Sequence, residues 1–210
     1  MIIHDIHTHI DHIQRDAIVS LTPAQYNNTT ASICSVGIHP WDTNGVTDDT
    51  LLLLRQISVQ PNVVAIGECG IDSLKGADIE RQIEIFEQHI LLSEQIKKPL
   101  IIHTVKSAHH ILAMHRKHRP TQRWIIHGYR GNATTAQQYI ERGIEISYGE
   151  KFNPEAVAST PLDMLWVESD ESKLNIIDIY NHIAKTKNIE TINLLQSVEI
   201  RAKKIFFECE

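Results

Sequence analysis

The chain has 210 residues, 42% of them hydrophobic and 22% charged, enough to bury a sizeable core in one domain. Its net charge of −6 argues against a surface that coats nucleic acid electrostatically, though not against a local positive site made by metal ions. Cys34, Cys69 and Cys209 are odd in number and widely spaced, which speaks against a disulfide framework and for reduced thiols.

Eight short, β-branched runs recur along the chain: 2–9, 16–21, 31–40, 62–69, 99–105, 123–129, 144–149 and 163–170. Each is nearly continuous in apolar character, as expected of strands buried on both faces. Between the later runs lie helical patterns. Ile79, Ile83, Phe86 and Ile90 share one helix face, residues 107–118, 133–142 and 155–160 read as shorter helices, and Gly143 suits a helix C-cap. From Ile176 to Glu208 the pattern gives two helices broken near Asn188. Alternating strands and helices imply a parallel sheet, and eight of them a TIM-like (β/α)8 barrel over residues 1–210. Too little chain separates the first three runs for full crossover helices, so the barrel is expected to be compact, with short or missing helices after the first strands.

No basic segment leads into an apolar one at the N-terminus, and the longest aliphatic run is Leu51 to Leu54. Neither a secretory signal nor a membrane span is expected, which gives a soluble, cytoplasmic protein with no membrane association. Nothing in the sequence points to a protein partner.

The chemistry collects at strand ends. In HDIHTHI, residues 4–10, His7 and His9 fall on one strand face with Asp5 below them. In such a barrel the working residues lie at the C-terminal ends of the strands. There the runs deliver His39, Glu68, His103, His127 and Asp170 as well. Four imidazoles, His7, His9, His103 and His127, with the carboxylates Glu68 and Asp170, are a donor set for a pair of divalent metals such as Zn, Mg or Mn. One bland explanation serves for any single histidine; it does not serve for six strands converging on one rim.

Taken in order, IHTHI, GIHPW, GECGID, IIHTV, IIHG and ESD resemble the motifs of the TatD family of metal-dependent deoxyribonucleases, within the amidohydrolase superfamily. The likeness runs from His7 to about Asp170, with weaker support from Gln82, Phe86 and Gln88 and from Asn193, Phe206 and Phe207. It implies hydrolysis of phosphodiesters at two divalent metal ions, with a metal-activated water as nucleophile and DNA or a small phosphodiester as substrate, 3′-to-5′ exonuclease action included. It further implies that His7, His9 and Asp170 hold one metal, that His103 and His127 hold the other, and that Glu68 bridges. Asp170 and Glu68 are then the catalytic carboxylates, Asp170 orienting or deprotonating the attacking water.

Departures from the family pattern fall where substrate is touched. Val105 stands where the family usually has Arg, with Lys106 next; HxFSG becomes His127-Gly128-Tyr129-Arg130-Gly131; and Glu171-Ser172 replace the common Pro after Asp170. His39, Lys106 and Arg130 are therefore the candidate substrate contacts. The alternative activity is an amidohydrolase-type C–N or ester hydrolase acting on a small molecule, and a non-enzymatic barrel is a third reading that six retained donors disfavour. Trp41 is expected as an aromatic lid over the core, with stacking against a base as the alternative. His109, His110, His115 and His118 are expected as solvated surface, His4 packs outward on the opposite face from His7, and His12, His89 and His182 have no evident partner.

Overall fold

In the computed structural model, residues 3–9, 16–27 and 29–208 are described; the calls on His12 and Cys209 lie outside them. The strands are β1 (Asp5–Thr8), β2 (Ala17–Leu21), β3 (Cys34–Val36), β4 (Val63–Asp72), β5 (Leu100–Val105), β6 (Trp124–Ile126), β7 (Glu145–Tyr148) and β8 (Leu165–Val167). The helices are α1 (Pro23–Tyr26), α2 (Asp48–Ser58), α3 (Ile79–Ile96), α4 (Ala108–His118), α5 (Ala133–Ile140), α6 (Pro154–Ser159), α7 (Ile176–Lys187) and α8 (Thr191–Phe206). Strand order follows chain order from β1 to β8. No helix among the described residues is long and apolar enough to cross a membrane.

The chain divides into two compact units, one of Met1–Val19 with Ile125–Glu210 and the other of Ser20–Trp124. In the first, β1 pairs in parallel with the start of β2, β6 with β7, and β7 with β8, through Ile126 opposite Ile146 and Tyr148 opposite Val167. A parallel bridge between Thr8 and Asp170 brings the residues after β8 beside β1. The core holds Ile6, Ile146, Trp166, Tyr180, Leu194 and Val198, all at or below 1% exposure. Asn188 ends α7 in the left-handed conformation, where asparagine is tolerated, and this makes the expected break before α8.

In the second unit β4 pairs in parallel with β3 and β5, with Val36 opposite Ile66 and Gly70 opposite His103. All ten residues of β4 are buried. After β2 only the single turn α1 follows, as the short spacing requires, begun by a Thr22–Gln25 capping box and Pro23.

Two helical expectations are corrected. The 11-residue helix α2 follows β3, capped by Thr47, although no helix was expected there. Leu51 to Leu54 run round every face, so periodicity is lost; Leu54 is buried while Leu52 is 55% exposed. On α3 the buried face comprises Gln82, Ile85, Phe86, His89 and Ile90, not Ile79 and Ile83. Polar Gln82 and His89 sit on that face because each is hydrogen-bonded inward, which an apolar count overlooks.

Candidate metal centres

In the first unit, backbone pairing lays the segment after β8 against β1. The Asp170 amide donates to the His7 carbonyl at 2.9 Å, and the His9 amide returns a bond to the Asp170 carbonyl at 3.1 Å. Asp5 fixes the same join: its Oδ1 accepts from the Ser169 amide at 3.0 Å and from the His7 amide at 3.2 Å. Burial pushes the Asp5 carboxyl up to about 7, only partly offset by those hydrogen bonds. Asp170 takes a left-handed backbone, φ 54°.

This scaffold gathers His7, His127 and Asp170, whose nearest donor atoms all lie within 4.8 Å of one another. The His7 and His127 rings are 4.2 Å apart between centroids, and His9 Nε2 stands 3.7 Å from Asp170 Oδ1. Behind them lies a carboxylate that the motif reading quoted without assigning. Glu168 is fully buried, its Oε1 accepting from the Gly128 amide at 2.6 Å and facing His127 Nδ1 at 3.4 Å. Burial alone would raise its carboxyl, but the His127 charge and hydrogen bond, with His7, outweigh that and hold it below the ordinary value. A carboxylate at Nδ1 leaves Nε2 of His127 as the nitrogen that could hold a metal.

Arg130 is exposed, with Nη2 3.9 Å from Asp170 Oδ2. Both line a cavity of about 260 Å³ with Gly128, Glu150, Lys151 and Ser172.

In the second unit the donors are His39, Glu68 and His103, again within 4.8 Å. His103 Nδ1 lies 2.7 Å from Glu68 Oε1, and its Nε2 lies 3.2 Å from Asp72 Oδ2. Asp72 thus serves His103 as Glu168 serves His127: it holds one ring nitrogen and leaves the other beside Glu68. Although burial opposes it, hydrogen bonds from Trp41, Leu74 and His103 hold the Asp72 carboxyl below the ordinary value. Gly70 allows β4 and β5 to approach here; a Cβ on it would collide with the His103 carbonyl oxygen.

His39 caps the turn Pro40–Gly45, its Nδ1 accepting from the Trp41 amide at 3.1 Å. An imidazole that accepts at Nδ1 carries its proton on Nε2, and that nitrogen faces Glu68 Oε1 at 3.0 Å. His39 thus presents a hydrogen-bond donor. Trp41 is 44% exposed. Lys106 is exposed after β5, in the left-handed conformation at φ 53°.

His89, without evident partner in the sequence, is a buried structural histidine: its Nε2 accepts from the Ile38 amide at 2.9 Å and its Nδ1 donates to the Ile85 carbonyl at 2.7 Å. Glu168 and Asp72, which stand behind His127 and His103, were not singled out from the sequence, although both lie inside the motifs ESD and GECGID.

Comparison with known proteins agrees with this geometry. The chain is 30% identical over 152 residues to the uncharacterized metal-dependent hydrolase YcfH of Escherichia coli K12, covering 68% of this chain and 56% of that protein. It is 24% identical over 147 residues to the 3′-5′ ssDNA/RNA exonuclease TatD of Erwinia amylovora, covering 65% and 56%. These matches thus span little more than half the length of either relative. Among solved structures, YJJV, a TatD homolog from E. coli K12, superposes with a TM-score of 0.84 at 21% identity over 98% of each chain, and a hydrolase of the TatD family from Entamoeba histolytica with 0.78 at 16% over 99% and 98%. The likeness fixes the fold class as the expected TIM-like (β/α)8 one. The model of the family described as TatD related DNase matches residues 19–206, and with nearly the whole chain so covered, this protein belongs to that family.

Proposed function

We propose that this chain is a divalent-metal-dependent hydrolase of phosphodiesters, acting as one catalytic domain on nucleic acid or a smaller phosphodiester. The observation that carries the proposal is the pair of clusters, His7 with His127 and Asp170, and Glu68 with His103 beside His39, each with nitrogen and carboxylate oxygen atoms within 4.8 Å of one another. Imidazole with carboxylate fits Zn and Mn, and Mg through the carboxylates. Carboxylates behind His127 and His103 orient those rings, as metal-site histidines require. The metal donors are His7, His9, His127 and Asp170 of one unit and Glu68 and His103 of the other, for two ions in all.

Bound divalent ions supply Lewis acidity towards phosphoryl oxygens and acidify water. Asp170 takes the proton of the attacking water, its carboxylate held in place by the backbone bonds to His7 and His9. His39 donates from Nε2 to a phosphoryl oxygen, a role its Nδ1 bond to Trp41 prescribes. Arg130 and Lys106 add positive charge for the phosphates of an otherwise acidic protein. The Erwinia relative's name gives the substrate tested first, single-stranded DNA or RNA cut from the 3′ end.

The test is hydrolysis of an aryl phosphodiester by metal-stripped protein with Mg²⁺, Mn²⁺ or Zn²⁺ restored in turn. Turnover only with metal supports the reading. Metal binding without phosphodiester turnover, with amide or ester cleavage instead, replaces it by the C–N or ester hydrolase.

A further inference from the structure

Trp41 has no place in the metal chemistry, yet the fold holds it still and leaves it in the open. Its amide donates to His39 Nδ1, and its Nε1 donates to Asp72 Oδ2 at 2.7 Å. Its ring meets His39 edge-on at 4.6 Å between centroids and His103 at 6.0 Å. A tryptophan fixed by two hydrogen bonds would ordinarily be covered by its neighbours, but 44% of this one is exposed, whereas Trp124 and Trp166 are buried at 1% and 0%.

What lies over the ring is a cation. The Lys75 ammonium sits 3.2 Å from the ring centroid. The loop that carries it is built rather than loose. Buried Gln82 donates from Nε2 to the carbonyls of Asp72, Lys75 and Ala77 and accepts the Asp72 amide at Oε1. Ser73 ties the same loop to the Lys106 carbonyl, and Gly76 takes φ 100° where a Cβ would strike the Pro40 carbonyl oxygen. A cation–π contact at an exposed site is weak, so the ammonium can leave the ring for a phosphate and free its face for a flat partner.

We propose that Trp41 is a stacking platform for a nucleobase, with Lys75 moving to the adjacent backbone phosphate. An exposed aromatic beside a mobile cation is how sequence-tolerant proteins hold single strands. The substrate class at the neighbouring His39–Glu68–His103 group is then single-stranded nucleic acid. In that respect the inference rests on the phosphodiesterase reading.

Trp41 fluorescence tests it without turnover. A short phosphorothioate oligothymidylate, resistant to hydrolysis, is titrated into the purified protein, and an abasic oligomer of equal length and linkage is titrated alongside. The thymidylate quenches emission saturably and the abasic strand does not. Trp41→Leu abolishes the quench and weakens binding, followed by anisotropy of a labelled strand, about tenfold to a hundredfold, while Trp41→Phe restores most of the affinity. Equal quenching by both strands, no quenching by either, or unchanged affinity in Trp41→Leu with its circular dichroism intact overturns the platform. Quenching with no hydrolysis of any phosphodiester upholds the platform and overturns the phosphodiesterase reading; hydrolysis without quenching does the reverse.

Discussion

Glu168 and Asp72 show how much of the setting of His127 and His103 is fixed by what stands behind each ring. Glu168 is fully buried, and the Gly128 amide, the neighbouring imidazoles and the Ser147 hydroxyl make that burial tolerable. Glu168→Gln keeps an acceptor for Gly128 but removes the charge that orients His127. Metal affinity, followed by equilibrium titration with Zn²⁺, falls about 10- to 100-fold while the far-ultraviolet spectrum is unchanged. An unchanged affinity means that His127 is oriented by something else. The family motifs carried both carboxylates into view, but sequence alone gives no pairing across 41 residues, such as Glu168 with His127. His7, His9, His103, His127 and Asp170 could be nominated as candidate donors because strand ends and residue type suffice for that.

At the scale of elements, α3 was foreseen as a helix but its buried face only in part, and that face supports the site directly. Its buried face carries Gln82, which shapes the loop after β4, and His89, which holds the Ile38 amide next to His39. Both escape an apolar count for the same reason: their value lies in hydrogen bonds made only once distant segments have packed. Burial pushes the His89 imidazole down to about 4, so the folded protein holds it neutral. The unfolded chain takes up that proton near pH 6.5 and the folded chain only near pH 4. The contribution is therefore whole above pH 6.5, shrinks as pH falls between the two values, and is gone below about 4, a change of about 3 kcal/mol. Urea unfolding midpoints at pH 7 and pH 4.5 measure it, and His89→Gln flattens this part of the slope at a lower stability throughout. The pairing of β4 with β5 gives a second test. Gly70→Ala places a methyl group against the His103 carbonyl oxygen at φ 140°. It lowers stability by about 2 kcal/mol or more and displaces His103, read as a lowered Tm together with weakened metal binding.

For the whole molecule, the eight strands and their alternation with later helices were legible because buried parallel strands are almost continuously apolar. The helix α2 was not, because four consecutive leucines erase the period that marks a helix face. The charge balance carries a prediction at this scale too. Arg130, Lys75 and Lys106 are the cations assigned here to substrate phosphates, in a chain whose net charge is −6. Affinity for a single strand should fall with salt at a logarithmic slope of about −2, as for roughly three phosphate contacts. A slope several times steeper would place binding on a more extensive basic surface than these three side chains provide.

The central claim is that the histidine and carboxylate groups at the strand ends hold divalent metals that drive phosphodiester hydrolysis. The most direct measurement pairs metal content with turnover of an aryl phosphodiester for the wild-type protein and Asp170→Asn, after stripping and reloading with Mn²⁺. The account predicts stoichiometric metal in the wild type, activity that disappears on stripping and returns on reloading, and a loss in Asp170→Asn of at least about 100-fold. Full activity in the stripped protein, or in Asp170→Asn, would contradict it.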